Sequence, residues 1–318
     1  MFRLKVARSA AEIDELRAPW ESLEASSHNV FQSYLWNRRA AEVFTAREQP
    51  HFIFAESDSG MALIPAVICT EPRCISLAGE KLFDYRDYLA RGDERPLLRA
   101  CEVLAALNLP VSVTAVVAPD NAIWHRLPKS YFCSAPQLLH DEGYSGQDFA
   151  EEHSRAFSRL RKLERMGLRI CEYSGASPVV QQIYAGRARR PAAGELFQDR
   201  LRTDFMVAIC RAMANRCEVF TLEHGSTLAA ALVTFRDGNF RRFYTTCYDH
   251  NWARYSPGVC LLFEVGRRSL DQGLSVDLMT GEQPYKQRIA RETRSLFQVN
   301  ATAEDLRQAF PISTQEAA

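Results

Sequence analysis

The chain of 318 residues lacks most of the short motifs by which catalytic classes are recognised. It has no G-x-x-x-x-G-K-[ST], no G-x-G-x-x-G, no G-x-S-x-G and no H-E-x-x-H, which disfavours a nucleotide triphosphatase, a serine hydrolase and a metalloenzyme. Its seven histidines are scattered and pair with no cysteine at metal-ligand spacing, so no metal site is expected. Nine cysteines form no C-x-x-C pair, and several stand inside apolar runs such as "VAICRAM" and "GVCLLFEV". An odd number of scattered thiols fits a reducing compartment rather than a disulfide framework. The longest uninterrupted apolar run, "LAAALV", is too short to span a bilayer, and "MFRLKVARSAAEIDELR" carries no signal-peptide stretch. Lys plus Arg equals Asp plus Glu at 39 each, so net charge speaks neither for nor against a nucleic-acid partner. The expectation is a soluble, cytoplasmic protein.

What is present is ample core material: 47% of residues are hydrophobic and 25% charged. "SAAEIDELRAPWESLEASS" opens with a capping box, Ser9 with Glu12, and Pro19 should interrupt the helix that follows. A second helix is expected over 31–44, then strands over 51–57, 61–70 and 73–79. A polar, aromatic loop "EKLFDYRDYLARGDE" leads to a helix over 95–107 and a strand over 111–118. The second half repeats the order. Two helical stretches precede strands over 217–223, 227–236 and 240–248, and the last two are joined by the Asp-Gly turn of "RDGN". A loop, "DHNWARYSPG", then leads to a helix over 257–271 and a strand over 274–279. The expectation is a mixed α/β fold with a duplicated unit, the halves joined by a basic helix over 148–169.

Ser256-Pro257-Gly258 starts the helix over 257–271. Ser256 suits the cap, Pro257 the first turn, and Gly258 lets a ligand approach the backbone. A helix start offers unpaired N–H groups and a positive dipole end, which suits a phosphate or an oxyanion. Asp277 sits mid-strand in "LSVDLMTG", where an unpaired carboxylate is costly to bury. Either it faces a polar crevice or it caps a neighbouring backbone group. The helix "HSRAFSRLRKLERMG" lines up Arg155, Arg159, Arg161, Lys162 and Arg165 against an apolar stripe of Phe157, Leu160 and Leu163. "GRARRP" adds Arg187, Arg189 and Arg190 to the basic surface.

Three stretches carry a family resemblance: "GEKLFDYRDYL", "FSRLRKLERMG" and "CYDHNWARYSPGVCLLFEVGRRSLDQGLSVDLMTGEQPYKQ". The sequence resembles the GCN5-related N-acetyltransferase (GNAT) superfamily, and within it the CelD-type acetyltransferases of cellulose and exopolysaccharide synthesis. These are tandem-unit relatives of the Fem-type peptidyltransferases. The resemblance is strongest over roughly 150–290. It departs from the family in one respect: many single-unit members carry two or more glycines at the turn before the helix, and here only Gly258 does so.

The resemblance implies two GNAT-like units, 1–146 and 147–300, with a tail over 301–318. The second unit would be catalytic, and the first a non-catalytic acceptor-side wall. It implies acetyl-CoA or another acyl-CoA as co-substrate, held by Ser256, Pro257, Gly258 and Val259 with Arg159 and Lys162 at its phosphates. Asp277 would act as base or orient the acceptor, and Lys286 would meet the oxyanion or a donor phosphate. Tyr285, Asp249 and Glu282 stand near the same edge. Asp84, Tyr85, Asp87 and Tyr248 would line the acceptor side. The acceptor would be an amino sugar or a cell-envelope precursor. Two alternatives stay open: a Fem-like transferase using aminoacyl-tRNA, and a catalytically silent subunit of a polysaccharide-assembly complex.

Overall fold

A computed structural model describes residues 2–27, 29–117, 123–189 and 195–311. The chain forms two compact units, Met1–Cys133 with Ser295–Ala318, and Ser134–Arg294. These divisions differ from 146/147 and 300/301. Residues 134–138 complete a sheet of the second unit, and 295–301 return to pair with a strand of the first.

The first unit runs β1 (Arg3–Ala7), α1 (Ala10–Asp14), α2 (Arg17–Glu24), α3 (Tyr34–Val43), β2 (Glu48–Pro50), β3 (Phe52–Glu56), β4 (Gly60–Ile64), β5 (Ala66–Cys69), β6 (Cys74–Leu77), β7 (Leu89–Gly92), α4 (Arg95–Ala106) and β8 (Val111–Val116). The Ser9–Glu12 capping box forms. The interruption it precedes falls at Glu15–Leu16, and Pro19, which has no N–H to donate, sits in the first turn of α2. The strand expected over 61–70 breaks at Pro65, whose missing N–H cannot serve a ladder. Its first part, β4, joins an antiparallel sheet of order β1-β3-β4-β7, and its second, β5, pairs with β2 and β6. The strand expected to end at residue 118 ends at Val116, and residue 118 lies outside the described residues.

β9 (Lys129–Leu138) carries the chain into the second unit. There follow α5 (Gly146–Glu152), α6 (Ser154–Arg165), β10 (Arg169–Ser174), α7 (Val179–Ala188), α8 (Arg200–Ala212), β11 (Cys217–His224), β12 (Thr227–Asp237), β13 (Phe240–Tyr248), α9 (Pro257–Asp271), β14 (Ser275–Asp277) and α10 (Pro284–Ile289). β15 (Glu292–Ala301) returns to the first unit, where it pairs with β8, and α11 (Ala303–Ala309) follows. The expected tail is therefore not free. Leu306 and Phe310 are buried in the first unit's core with Leu97, Cys101 and Leu104, because α11 keeps an apolar face. Residues 312–318 lie outside the described residues.

The basic helix expected over 148–169 is two helices, broken at His153, and both belong to the second unit. Phe149, Phe157, Leu160 and Leu163 pack with Phe263 and Val265 of α9, so the apolar stripe faces the core and the arginines face solvent. The second unit's strands stand in the order β10-β11-β12-β13-β14, antiparallel except for the parallel β13–β14 pair, with the end of β9 beyond β14. α9 is the crossover between β13 and β14.

Candidate active site

β13 and β14 are neighbours for only three residues, Phe240 to Arg242 against Ser275 to Asp277. Two local causes then separate them. A bulge at Tyr244, where the β12 register shifts, bends β13. On the other side, Leu278 and Gly281 donate their N–H groups to the carbonyls of Pro136 and Ser134, so the chain beyond Asp277 stays with β9. β13 runs on to Tyr248 with a gap beside it. The Asp249 N–H reaches the Ala229 carbonyl of β12, so by antiparallel alternation Thr246 and Tyr248 direct their N–H and C=O groups away from β12, into the gap.

α9 begins at the end of β13. Ser256 adopts a left-handed conformation (φ 51°, ψ 52°), and its side chain does not cap the helix. The Cys260 N–H is the first to find a carbonyl in the helix, that of Ser256 at 3.1 Å. Pro257 has no N–H, so the amides of Gly258 and Val259 are the ones left for a ligand. A Cβ on Gly258 would meet Tyr248 atoms at 3.7 Å and Thr246 Oγ1 at 3.8 Å, ordinary contacts, so the protein itself does not demand glycine there. α6 supplies cations beside this turn. Lys162 Nζ lies 5.4 Å from the ring centre of Tyr255, whose ring also carries the Arg254 guanidinium at 4.6 Å. Burial pushes the Cys260 thiol up to about 11, and the Arg159 cation pulls against it. Arg159 and Lys162 are both exposed.

The other expected residues are placed differently. Asp277 is 0% exposed and fully committed. Its Oδ2 accepts from Arg242 at 2.6 Å and Gln137 at 3.2 Å, and its Oδ1 accepts the Met279 N–H at 2.8 Å. It caps the backbone rather than facing a crevice, and both of its oxygens are bonded within the protein. Lys286 is 8% exposed, and its ammonium donates to the carbonyls of Met279 at 3.3 Å and Thr280 at 2.6 Å rather than to an oxyanion position. The two groups do converge, but on Met279. That buried residue holds a left-handed φ of 61°, and the pair fastens it from its N–H and C=O sides. Glu282 is exposed and accepts from the Ser134 hydroxyl at 3.3 Å. Asp249 caps the turn after β13 by accepting the Asn251 N–H. Tyr285 is half-buried, and burial pushes its phenol up while the Arg187 cation opposes the shift.

In the first unit, Tyr85 is buried edge-on against Phe31, and Asp87 accepts from the Trp124 indole at 2.8 Å and the Tyr88 N–H at 2.9 Å. Asp84 is half-buried and acts on the buried Arg86 guanidinium. These groups hold their own loop, with Tyr85 buried and Asp87 bonded within the first unit.

Tyr248 remains at a surface. It is 40% exposed, stands edge-on to His250 at 5.3 Å, and lines a cavity of about 590 Å³ with Gln182, Gly186, Arg189, Thr227 and Asp249. Sequence reasoning missed a largely buried pair in this unit. Arg187, expected on the basic surface, turns inward: its guanidinium donates to the Thr246 carbonyl at 2.8 Å and to Glu195 Oε1 at 2.7 and 3.1 Å. Arg190 lies outside the described residues. Among the described residues, no cluster of three metal-ligating side chains occurs, and no helix is long and apolar enough to cross a membrane.

In the second unit, then, two parallel strands of a mixed sheet splay beside an uncapped helix start. Residues 148–287 match the family model of the acetyltransferase (GNAT) domain. No curated protein matches the chain. Similar solved structures span nearly all of it. A conserved protein of unknown function from Bacteroides thetaiotaomicron VPI-5482 superposes with a TM-score of 0.62 at 10% identity, covering 94% of this chain and 100% of that one. FemX gives 0.60 at 10% identity over 92% and 97%. A tandem GNAT protein from the clavulanic acid biosynthesis pathway gives 0.53 at 10% over 95% and 99%. At these identities the likeness is one of fold.

Proposed function

We propose that the second unit is an acyltransferase that takes an acyl group, in the first instance acetyl, from a CoA thioester and passes it to an amine or hydroxyl. The observation that carries this reading is the uncapped start of α9 at the mouth of the β13–β14 gap, flanked by Arg159 and Lys162. The Gly258 and Val259 amides suit a pyrophosphate, the two cations suit its charge, and the outward-turned backbone of Thr246 and Tyr248 suits an amide-bearing arm laid along β13. Tyr285 keeps its proton at neutral pH and is the group we assign to protonate the departing thiolate. Asp277 and Lys286 act by fastening the loop opposite.

The acceptor, a cell-envelope or exopolysaccharide precursor, rests on the CelD-type sequence resemblance, and so does a cytoplasmic location, where CoA thioesters and free thiols coexist. The test is thermal unfolding with CoA, acetyl-CoA and long-chain acyl-CoA. A ligand at a hundredfold over Kd stabilises by about 2.7 kcal/mol, which for a unit of this size raises Tm by roughly 5–10 °C. No shift with any ester at saturation would overturn the reading. If activity were then abolished by ribonuclease, an aminoacyl-tRNA donor would replace it.

A further inference from the structure

Acyl transfer to an amine or hydroxyl requires a group that removes the nucleophile's proton, and none of the carboxylates first expected in the second unit serves. Asp277 is buried and saturated, Asp249 caps a turn, and Glu282 is exposed with its Oε1 on Ser134. Glu195 differs from all three. Its side chain is 8% exposed, and among the described residues its bonds fall on one oxygen: Oε1 accepts from Arg187 Nε, Arg187 Nη2 and the Phe197 N–H. Oε2 has no hydrogen-bond partner among the described residues. The same Arg187 donates to the Thr246 carbonyl in the gap, so the pair is tied to the strand along which the donor would lie.

Among the described residues, Arg187 bonds Glu195 directly, Tyr285 of α10 feels the Arg187 cation, Tyr184 of α7 stands edge-on to Phe197, and Arg202 of α8 pairs with Asp199 and donates to the Leu196 carbonyl. The cavity that Tyr248 lines lies on the neighbouring turns of the same helix, with Gln182, Gly186 and Arg189 of α7 at its wall.

We propose that Glu195 is the general base of the second unit and Arg187 its positioning residue. This rests on the acyltransferase reading. Glu195 Oε2 takes the proton from the acceptor's nitrogen or oxygen as that atom's lone pair forms the bond to the acyl carbon. The carbon–sulfur bond then breaks, sulfur leaves with the electron pair, and the thiolate takes the Tyr285 proton. Solvent restores the phenol and receives the proton from Glu195.

The experiment compares the parent, Glu195→Gln, Glu195→Asp and Arg187→Lys, with acetyl-CoA as donor, glucosamine or water as acceptor, and thiol release as readout. Glu195→Gln should keep the acetyl-CoA-induced rise in Tm yet lose about a hundredfold or more in rate at neutral pH. With glucosamine the lost rate should return as pH rises toward the amine's own pKa, because a free amine needs no base. Glu195→Asp should retain part of the rate, and Arg187→Lys, which loses the two-pronged contact, should fall between parent and Glu195→Gln. A Glu195→Gln rate within threefold of the parent, or a loss that stays constant with pH, would overturn the assignment. A parent that binds no CoA ester would instead remove the acyltransferase reading beneath it.

Discussion

Replacing Asp277 by Asn tests whether that carboxylate is structural, as its surroundings indicate. The side chain is fully buried and pairs with Arg242, itself buried, while the same guanidinium holds Asp237 at 2.7 Å. Asn has one oxygen. If that oxygen keeps the Met279 N–H, the amide NH2 faces the Arg242 donors; if it turns to Arg242, the left-handed Met279 loses its tie. Removing one partner of a buried pair costs about 3–5 kcal/mol. Because Asp237 remains on Arg242, the lower end applies, about 3 kcal/mol, and Tm of the second unit should fall by roughly 6–12 °C. Urea unfolding at neutral pH supplies the free energy independently, and a second substitution, Arg242→Met, should recover part of the loss by removing the uncompensated cation. An Asp277→Asn variant as stable as the parent but devoid of activity would refute this reasoning and return Asp277 to the chemistry.

Two further outcomes are expected. Gly258→Ala should leave Tm unchanged or slightly raised, since the added methyl makes only ordinary contacts, while weakening CoA binding in titration calorimetry at least tenfold, about 1.4 kcal/mol, by shielding the helix amides. His51 is buried, its Nε2 has no partner among the described residues, and burial, with Arg8 adding to it, holds its pKa below the usual 6.5. The unfolded chain therefore takes up a proton before the folded one does, so stability is lost as pH falls below about 6.5. His51→Leu should shrink the difference between urea midpoints at pH 7.5 and 5.5, and an unchanged difference would contradict the assignment.

The elements legible in the sequence were those with a strong period and a clear boundary. α9 occupies the expected 257–271, because Ser-Pro-Gly marks its start and apolar residues recur along its length. β10 was not legible: "RICEYS" is an edge strand whose residues are all exposed or half-buried, so no apolar run announces it. The uncapped turn at which the donor is proposed to bind was readable for the same reason as α9. The role of Asp277 was not, since its partner stands thirty-five residues earlier. A signal did exist in "FRRFY", where adjacent arginines point to opposite faces of β13. Both are buried, so each requires carboxylates: Glu218 for Arg241, Asp237 and Asp277 for Arg242. Arg187 was hidden by composition, because a cluster of arginines reads as a solvated face until a carboxylate is found beneath one of them.

The repeated order also bears on the proposal that the donor is taken by the second unit. By position in each unit, between a polar loop and the next strand, α4 corresponds to α9. The start of α4 is closed by the protein itself: Asp93 accepts the Arg95 N–H at 2.9 Å and the Arg95 guanidinium at 2.7 Å, with the Ser59 hydroxyl also on it. Hydrogen bonds from Arg95 and Ser59 hold that carboxylate down at about 2, so it stays ionised at any physiological pH. An anionic ligand would have to displace a negative charge already bonded there. At α9 the residue in the cap position is a left-handed serine whose side chain makes no bond to the helix, and the Tyr255 ring just before it carries the cations Lys162 and Arg254. The same helix end thus meets an internal anion in one unit and, among the described residues, none of its own in the other, which is the local difference that a donor site confined to the second unit, as proposed, would require.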